Sequence, residues 1–179
     1  MILIKPSIDP IILSLGIFDI RWYSLAYIAG FIIGSIIIKY LNKKLLNILS
    51  NKQIDSFFIW SILGVIIGGR VGYVLFYQTS YLFINPIYIL KIWTGGMSFH
   101  GGLIGIIISM YLFCKKNNIK FFFLSDLVSI VAPIGLFFGR IANFINNELY
   151  GKITNFPFAM IYPEIDLQPR HPSQLYEAF

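Results

Sequence analysis

Apolar positions in this chain gather into long blocks, with little of the alternation expected of strands. Crossing the hydrocarbon of a bilayer takes roughly 17–25 mainly apolar residues in a helix, and four stretches come near that length. The first is 20–41, with Arg21 near its start; the second, 57–77, carries Arg70. A shorter third, 98–114, is glycine-rich at its entry, and the fourth, 121–141, is interrupted by Asp126, Pro133 and Arg140. The piece 81–93 is too short to span and contains Pro86, so it reads as interfacial or re-entrant. From 146 to 172 the chain turns polar and proline-rich, which predicts an extracytoplasmic loop or small cap. The closing SQLYEAF starts a helical pattern and stops with neither a capping glycine nor a polar tail, the look of a C-terminal truncation. The expected fold is all-α: one polytopic transmembrane helix bundle over 1–179, a single integral-membrane domain.

Composition strengthens this. Hydrophobic residues make up 57% of the chain and charged residues 12%, with a mean hydropathy of +0.75. A soluble domain carries about 25% charged residues, so this chain cannot cover a water-facing surface. Its net charge of +6 is therefore read through position in the membrane, and nucleic acid is not expected as a partner. Lys39, Lys43, Lys44 and Lys52 follow the first span, and Lys115, Lys116 and Lys120 the third. Lys5, Lys91, Lys152 and Arg170 lie on the other side. Seven basic residues in short loops against four place the amino terminus outside. The opening MILIKPSIDP lacks a basic stretch followed by an apolar run and a small-residue cleavage site, so no cleavable signal peptide is expected. The single cysteine, Cys114, excludes an internal disulfide and a CxxC metal site. Beside Lys115 and Lys116 on the inner side, it reads as inert.

Against this apolar background the polar groups stand out. GRIANFINNELYG, at 139–151, packs Arg140, Asn143, Asn146, Asn147 and Glu148 into nine residues. A charge inside the membrane normally faces the bundle and has a partner, and Arg140 and Asn143 share a helix face. A guanidinium matches the oxygens of phosphate or carboxylate. The plainer reading is an arginine snorkelling to the interface, with Asn146 and Asn147 ending the helix; the nearby Glu148 weighs against it. Arg70, in GGRVGYVLFY, is a second intramembrane arginine, flanked by glycines that allow close helix contact. It is either a further substrate-binding group or half of a structural ion pair with Asp126 or Glu177. His100, in GGMSFHGGLIG, can take a proton near neutrality, or it is simply a satisfied polar group; it is expected at the outer mouth of a span, level with Arg140. Tyr23 and Tyr176 sit near the outer interface, where aromatic belts are the default explanation.

GRIANFINNELYG resembles the signature of the prolipoprotein diacylglyceryl transferases. IRWYSLAY, GGRVGYVLFY, GGMSFHGGLIG and RHPSQLYEA resemble the family's other blocks in the same order, from about residue 18 onward. The resemblance implies a bacterial inner-membrane enzyme that moves the diacylglyceryl group of phosphatidylglycerol onto the thiol of a prolipoprotein's lipobox cysteine, the first step of lipoprotein maturation. It implies that Arg140 binds the lipid phosphate, that Asn143, Glu148 and Gly151 occupy the other fixed signature positions, that His100 is the important histidine and Tyr23 the first-helix tyrosine. Neither metal nor organic cofactor is expected, and the partners are phosphatidylglycerol, the prolipoprotein and membrane lipids. The family continues past Phe179 through further membrane helices, with another arginine that has no counterpart here. A transporter or channel subunit is the rival reading, since intramembrane charges and broken glycine-rich helices occur there too. No inverted repeat of the hydropathy pattern supports it. A structural membrane protein with polar contacts between helices is the third.

Overall fold

The computed structural model describes residues 3–16, 19–45 and 47–179; Phe18, where the family resemblance begins, lies outside them. Six α-helices dominate: α1 (Trp22–Leu45), α2 (Asn51–Tyr77), α3 (Thr79–Ile84), α4 (Phe99–Asn117), α5 (Phe121–Ile145) and α6 (Ser173–Ala178). Of these, α1, α2 and α5 are long and apolar enough to cross a membrane. Four helices thus stand where four apolar stretches predict them, each running past the apolar block at one or both ends. Hydropathy marks only the part of a helix that needs lipid. The polar end turns, such as Asn42 to Lys44 in α1, stay helical by backbone bonding.

Two compact units divide the chain: Met1–Ile37 with Ile130–Phe179, and Ile38–Ser129. In the second, α2 and α4 pack antiparallel along a seam of small residues. Phe57 meets Phe113 with ring centroids 5.3 Å apart, and Gln53 Nε2 donates to Asn117 Oδ1 at 3.4 Å. Between them Gly64, Gly68 and Gly72 face Gly101, Gly105 and Ser109. A β-carbon on Gly68 would lie 2.7 Å from Gly105 Cα, and one on Gly72 2.7 Å from Gly101 Cα. Only glycine permits this approach, which lets the backbones touch where lipid offers no hydrophobic drive. Ser50 starts α2 with a capping box, its Oγ accepting from Gln53 N while Gln53 Oε1 accepts from Ser50 N. Asn42, 2% exposed, closes the preceding loop by donating to Leu49 O and accepting from Leu49 N.

The first unit contains strands that the apolar blocks did not announce. β1 (Leu3–Ile4) pairs in parallel with β4 (Met160–Ile161), which pairs antiparallel with β5 (Pro169–Arg170). β2 (Ile11–Ser14) and β3 (Asp19–Arg21) form a separate hairpin. The region 146–172 thus contains two short paired strands, β4 and β5. Lys5, only 3% exposed, lies over the Phe144 ring and donates to Ile145 O at 3.3 Å, satisfying a carbonyl at the end of α5. Burial pulls its ammonium below the usual lysine value, with Glu164 acting the other way.

Candidate active site

The end of α5 organises the first unit's polar cluster. Asn147, at φ 59°, is left-handed. Its N–H bonds to Phe144 O at 3.3 Å, while Glu148 N–H reaches back to Asn143 O at 2.9 Å. This is the 6→1 and 5→2 pattern of a Schellman cap with asparagine in the position glycine usually takes. Leu149 is left-handed as well, at φ 54°, a conformation that costs an ordinary side chain roughly 1–2 kcal/mol. The plain reading of Asn147 as a helix ender is therefore correct. The turn it makes also delivers Glu148 back toward α5.

Four of the expected site residues meet there. Arg140 Nη1 donates to Asn143 Oδ1 at 3.4 Å. Asn143, 5% exposed, passes the chain on, its Nδ2 donating to Glu148 Oε2 at 3.0 Å and to the Tyr23 hydroxyl oxygen. Tyr23 comes from the first turn of α1 and stacks on Tyr27. Asn146 Nδ2 reaches Glu148 Oε1 at 3.4 Å, while Asn146 Oδ1 is buried with no partner among the described residues. The carboxylate paired directly with Arg140 is Glu177, whose Oε2 lies 2.5 Å from Nη2; Glu148 reaches Arg140 only through Asn143.

The RHPSQLYEA block braces this turn. Gln174, fully buried, donates from Nε2 to Glu148 O at 2.6 Å and accepts from the Tyr162 hydroxyl at 3.0 Å. Burial pushes the Tyr162 phenol up to about 12, so it stays a donor at neutral pH. Gly151 N donates to His171 O at 2.8 Å, and a β-carbon on Gly151 would lie 2.7 Å from that of His171. The last signature glycine therefore serves chain packing, with no room beside it. Arg170 lies over the Tyr150 ring and donates to Asp166 at 2.6 Å; its guanidinium holds the Asp166 carboxyl below the usual range. Gln174 and Glu177 were not singled out for these roles by sequence. Their one signal is the i, i+3 spacing of an amide and an acid in a short helix.

The other two expected residues belong to the second unit. Arg70 is 1% exposed and its guanidinium is fully engaged. Nε donates to Ile89 O at 3.3 Å, Nη2 to Tyr88 O at 2.9 Å and Thr94 Oγ1 at 3.1 Å, and Nη1 to the carbonyls of Gly95 and Gly96. It also stacks 4.7 Å from the Tyr88 ring centroid. No ion pair with Asp126 forms, and Glu177 is paired to Arg140 instead. Five acceptors on one buried guanidinium describe a clamp on 88–96 that leaves no donor face for a ligand. His100, in the first turn of α4, is exposed. Among the described residues it has ring contact with Phe99 and no hydrogen-bond partner, so the satisfied-polar reading finds no support.

A family model, prolipoprotein diacylglyceryl transferase, matches residues 10–179. The chain belongs to that family. Among similar proteins, the phosphatidylglycerol–prolipoprotein diacylglyceryl transferase of Rickettsia typhi is 55% identical over 177 residues, 99% of this chain and 68% of its own length. Those of Rickettsia canadensis and Rickettsia felis are 52% and 53% identical. The chain spans about two thirds of the length of these transferases. Tyr23, Arg140, Asn143 and Glu148 all lie within the stretch that the family model matches.

Proposed function

We infer that this membrane protein is a phosphatidylglycerol–prolipoprotein diacylglyceryl transferase, acting at the outer face of the bacterial inner membrane on the lipobox cysteine of prolipoproteins. One observation carries the assignment of the site. Arg140 stands at the end of an apolar helix, 29% exposed, tethered by Asn143 yet with donor capacity left for an anion. A phosphodiester at the membrane surface is the anion such a place meets, and a forked guanidinium suits it better than an ammonium does.

The chemistry follows from the groups. The peptide thiol, with an ordinary pKa of about 8.5, must lose its proton before it attacks. The sulfur then bonds to the glyceryl carbon, whose C–O bond breaks, and the electron pair stays on the phosphate oxygen. Charge that develops there is stabilised by a guanidinium already held in place. His100, exposed and without a hydrogen-bond partner among the described residues, is the candidate to take the thiol proton. Asn143 and Glu148 hold Arg140 and Tyr23 in register. In this reading α4 is a fourth crossing, and the amino terminus and the 146–172 cap are outside.

Transfer of label from phosphatidylglycerol to a lipobox peptide tests the site, with the enzyme expressed from its complete reading frame. Removing one partner of a buried charge pair costs about 3–5 kcal/mol. For the partly exposed Arg140 about 2–4 kcal/mol is the fitting range, roughly 30- to 1000-fold in rate at 1.36 kcal/mol per decade. Arg140→Lys should recover little, and Asn143→Ala should cost less than Arg140→Ala. Normal activity in Arg140→Lys beside a dead Asn143→Ala would make Arg140 a snorkelling anchor.

A further inference from the structure

The pair Arg140–Glu177 poses a problem for the reading just given, because the guanidinium expected to hold a lipid phosphate already holds a carboxylate at 2.5 Å. An arginine at the end of an apolar helix needs a counter-charge when no ligand is present, and Glu177 supplies it. Two carboxylates lie near this arginine, and they are held very differently. Glu148 is fixed by the amides of Asn143 and Asn146 and by Gln174 through its backbone carbonyl. Glu177 is 51% exposed, and among the described residues Arg140 is its one polar partner. Glu177 is free to swing away from Arg140, whereas Glu148, though exposed as well, is tied back by two side-chain amides.

We propose that Glu177 is the exchange partner of Arg140. It holds the guanidinium while the site is empty, yields it to the phosphodiester of the incoming lipid, and takes it back as the product leaves. The proposal rests on the reading of Arg140 as the phosphate ligand. An ion pair this exposed constrains its partner only a few-fold in equilibrium terms, so a lipid phosphate can displace it at little cost. During the exchange Asn143 keeps its contact with Nη1, so the guanidinium does not leave the site.

The exchange has a purpose on the product side. The reaction converts a monoanionic phosphodiester into a phosphate monoester of charge about −1.5 to −2 at pH 7. A bare arginine would grip the product harder than the substrate and stall turnover. A carboxylate waiting beside it competes for the same donors and repels the extra charge.

Glu177→Gln tests this, since the amide keeps the shape and loses the charge. Equilibrium binding of labelled glycerol phosphate to the purified enzyme should tighten at least two- to fivefold, the scale of an exposed ion pair. In the transfer assay KM for phosphatidylglycerol should fall, with glycerol phosphate becoming the stronger product inhibitor. Glu177→Asp, with a shorter reach, should fall between the two, and thermal unfolding identifies any variant that has lost its fold. Weaker or unchanged glycerol phosphate binding in a folded Glu177→Gln overturns the exchange and makes Glu177 a fixed brace. Arg140→Gln separates the two readings. If it abolishes glycerol phosphate binding while Glu177→Gln changes nothing, the exchange alone falls. If Arg140→Gln binds glycerol phosphate normally, the phosphate site lies elsewhere and both fall.

Discussion

His100 and Gln174 carry opposite kinds of polarity, and substitution should separate them. His100 is exposed with no internal hydrogen bond among the described residues, the condition of a group kept for something arriving from outside. His100→Gln should lower kcat by about a hundredfold or more, the usual yield of general acid–base catalysis, and leave KM for phosphatidylglycerol nearly unchanged. A normal kcat with a shifted KM would give it a positioning role. Gln174 is buried with both ends of its amide used. Tyr162→Phe leaves Gln174 Oε1 buried without its donor and should cost about 1–3 kcal/mol, seen as a lower midpoint of thermal unfolding. An unchanged midpoint would show the relay to be dispensable. Arg140, Asn143 and Glu148 were legible in sequence because polarity in an apolar run is conspicuous. The direct partner of Arg140 was not legible, because a carboxylate 37 positions downstream gives no local sign of which arginine it will meet. The partners of Arg70 were hidden for a related reason: four of its five acceptors are backbone carbonyls, which every sequence has and no sequence displays.

At the level of elements, the α2–α4 seam fails or holds at single atoms. A β-carbon on Gly105 would overlap Gly64 O and come within 3.0 Å of Gly68 Cα, so Gly105→Ala must force two backbones apart. Overpacking of this kind costs about 1–3 kcal/mol. Gly102, three positions earlier, has its nearest neighbours at 3.7 Å, and Gly102→Ala should be neutral or slightly stabilising, since alanine lowers the entropy that helix formation costs glycine. Equal unfolding midpoints for the two variants would show that the seam is not a close contact. The helices were visible in the hydropathy, and the glycines of GGRVG and FHGGLIG announced close packing. The short strands were not visible. Two-residue strands such as Leu3–Ile4 owe their pairing to a partner more than 150 positions away, and nothing in their own pattern distinguishes them from loop.

For the molecule as a whole, the proposed orientation rests on the charge of the basic loops. Cysteines at positions 43 and 116 should resist a membrane-impermeant thiol reagent in intact cells and react once the membrane is opened, in a Cys114→Ser background; reactivity from outside would invert the topology. The division of the chain has another side. The first unit joins Met1–Ile37 to Ile130–Phe179, so Tyr23 meets Asn143 across 120 positions. At a synthesis rate of about 5–20 residues per second, that tyrosine waits roughly 6–24 s on the ribosome's schedule before its partner exists. The Tyr23–Asn143 contact thus cannot form until α5 has been made. A membrane insertion machinery that released α1 early into bulk lipid would be holding half a site, with nothing yet made to complete it.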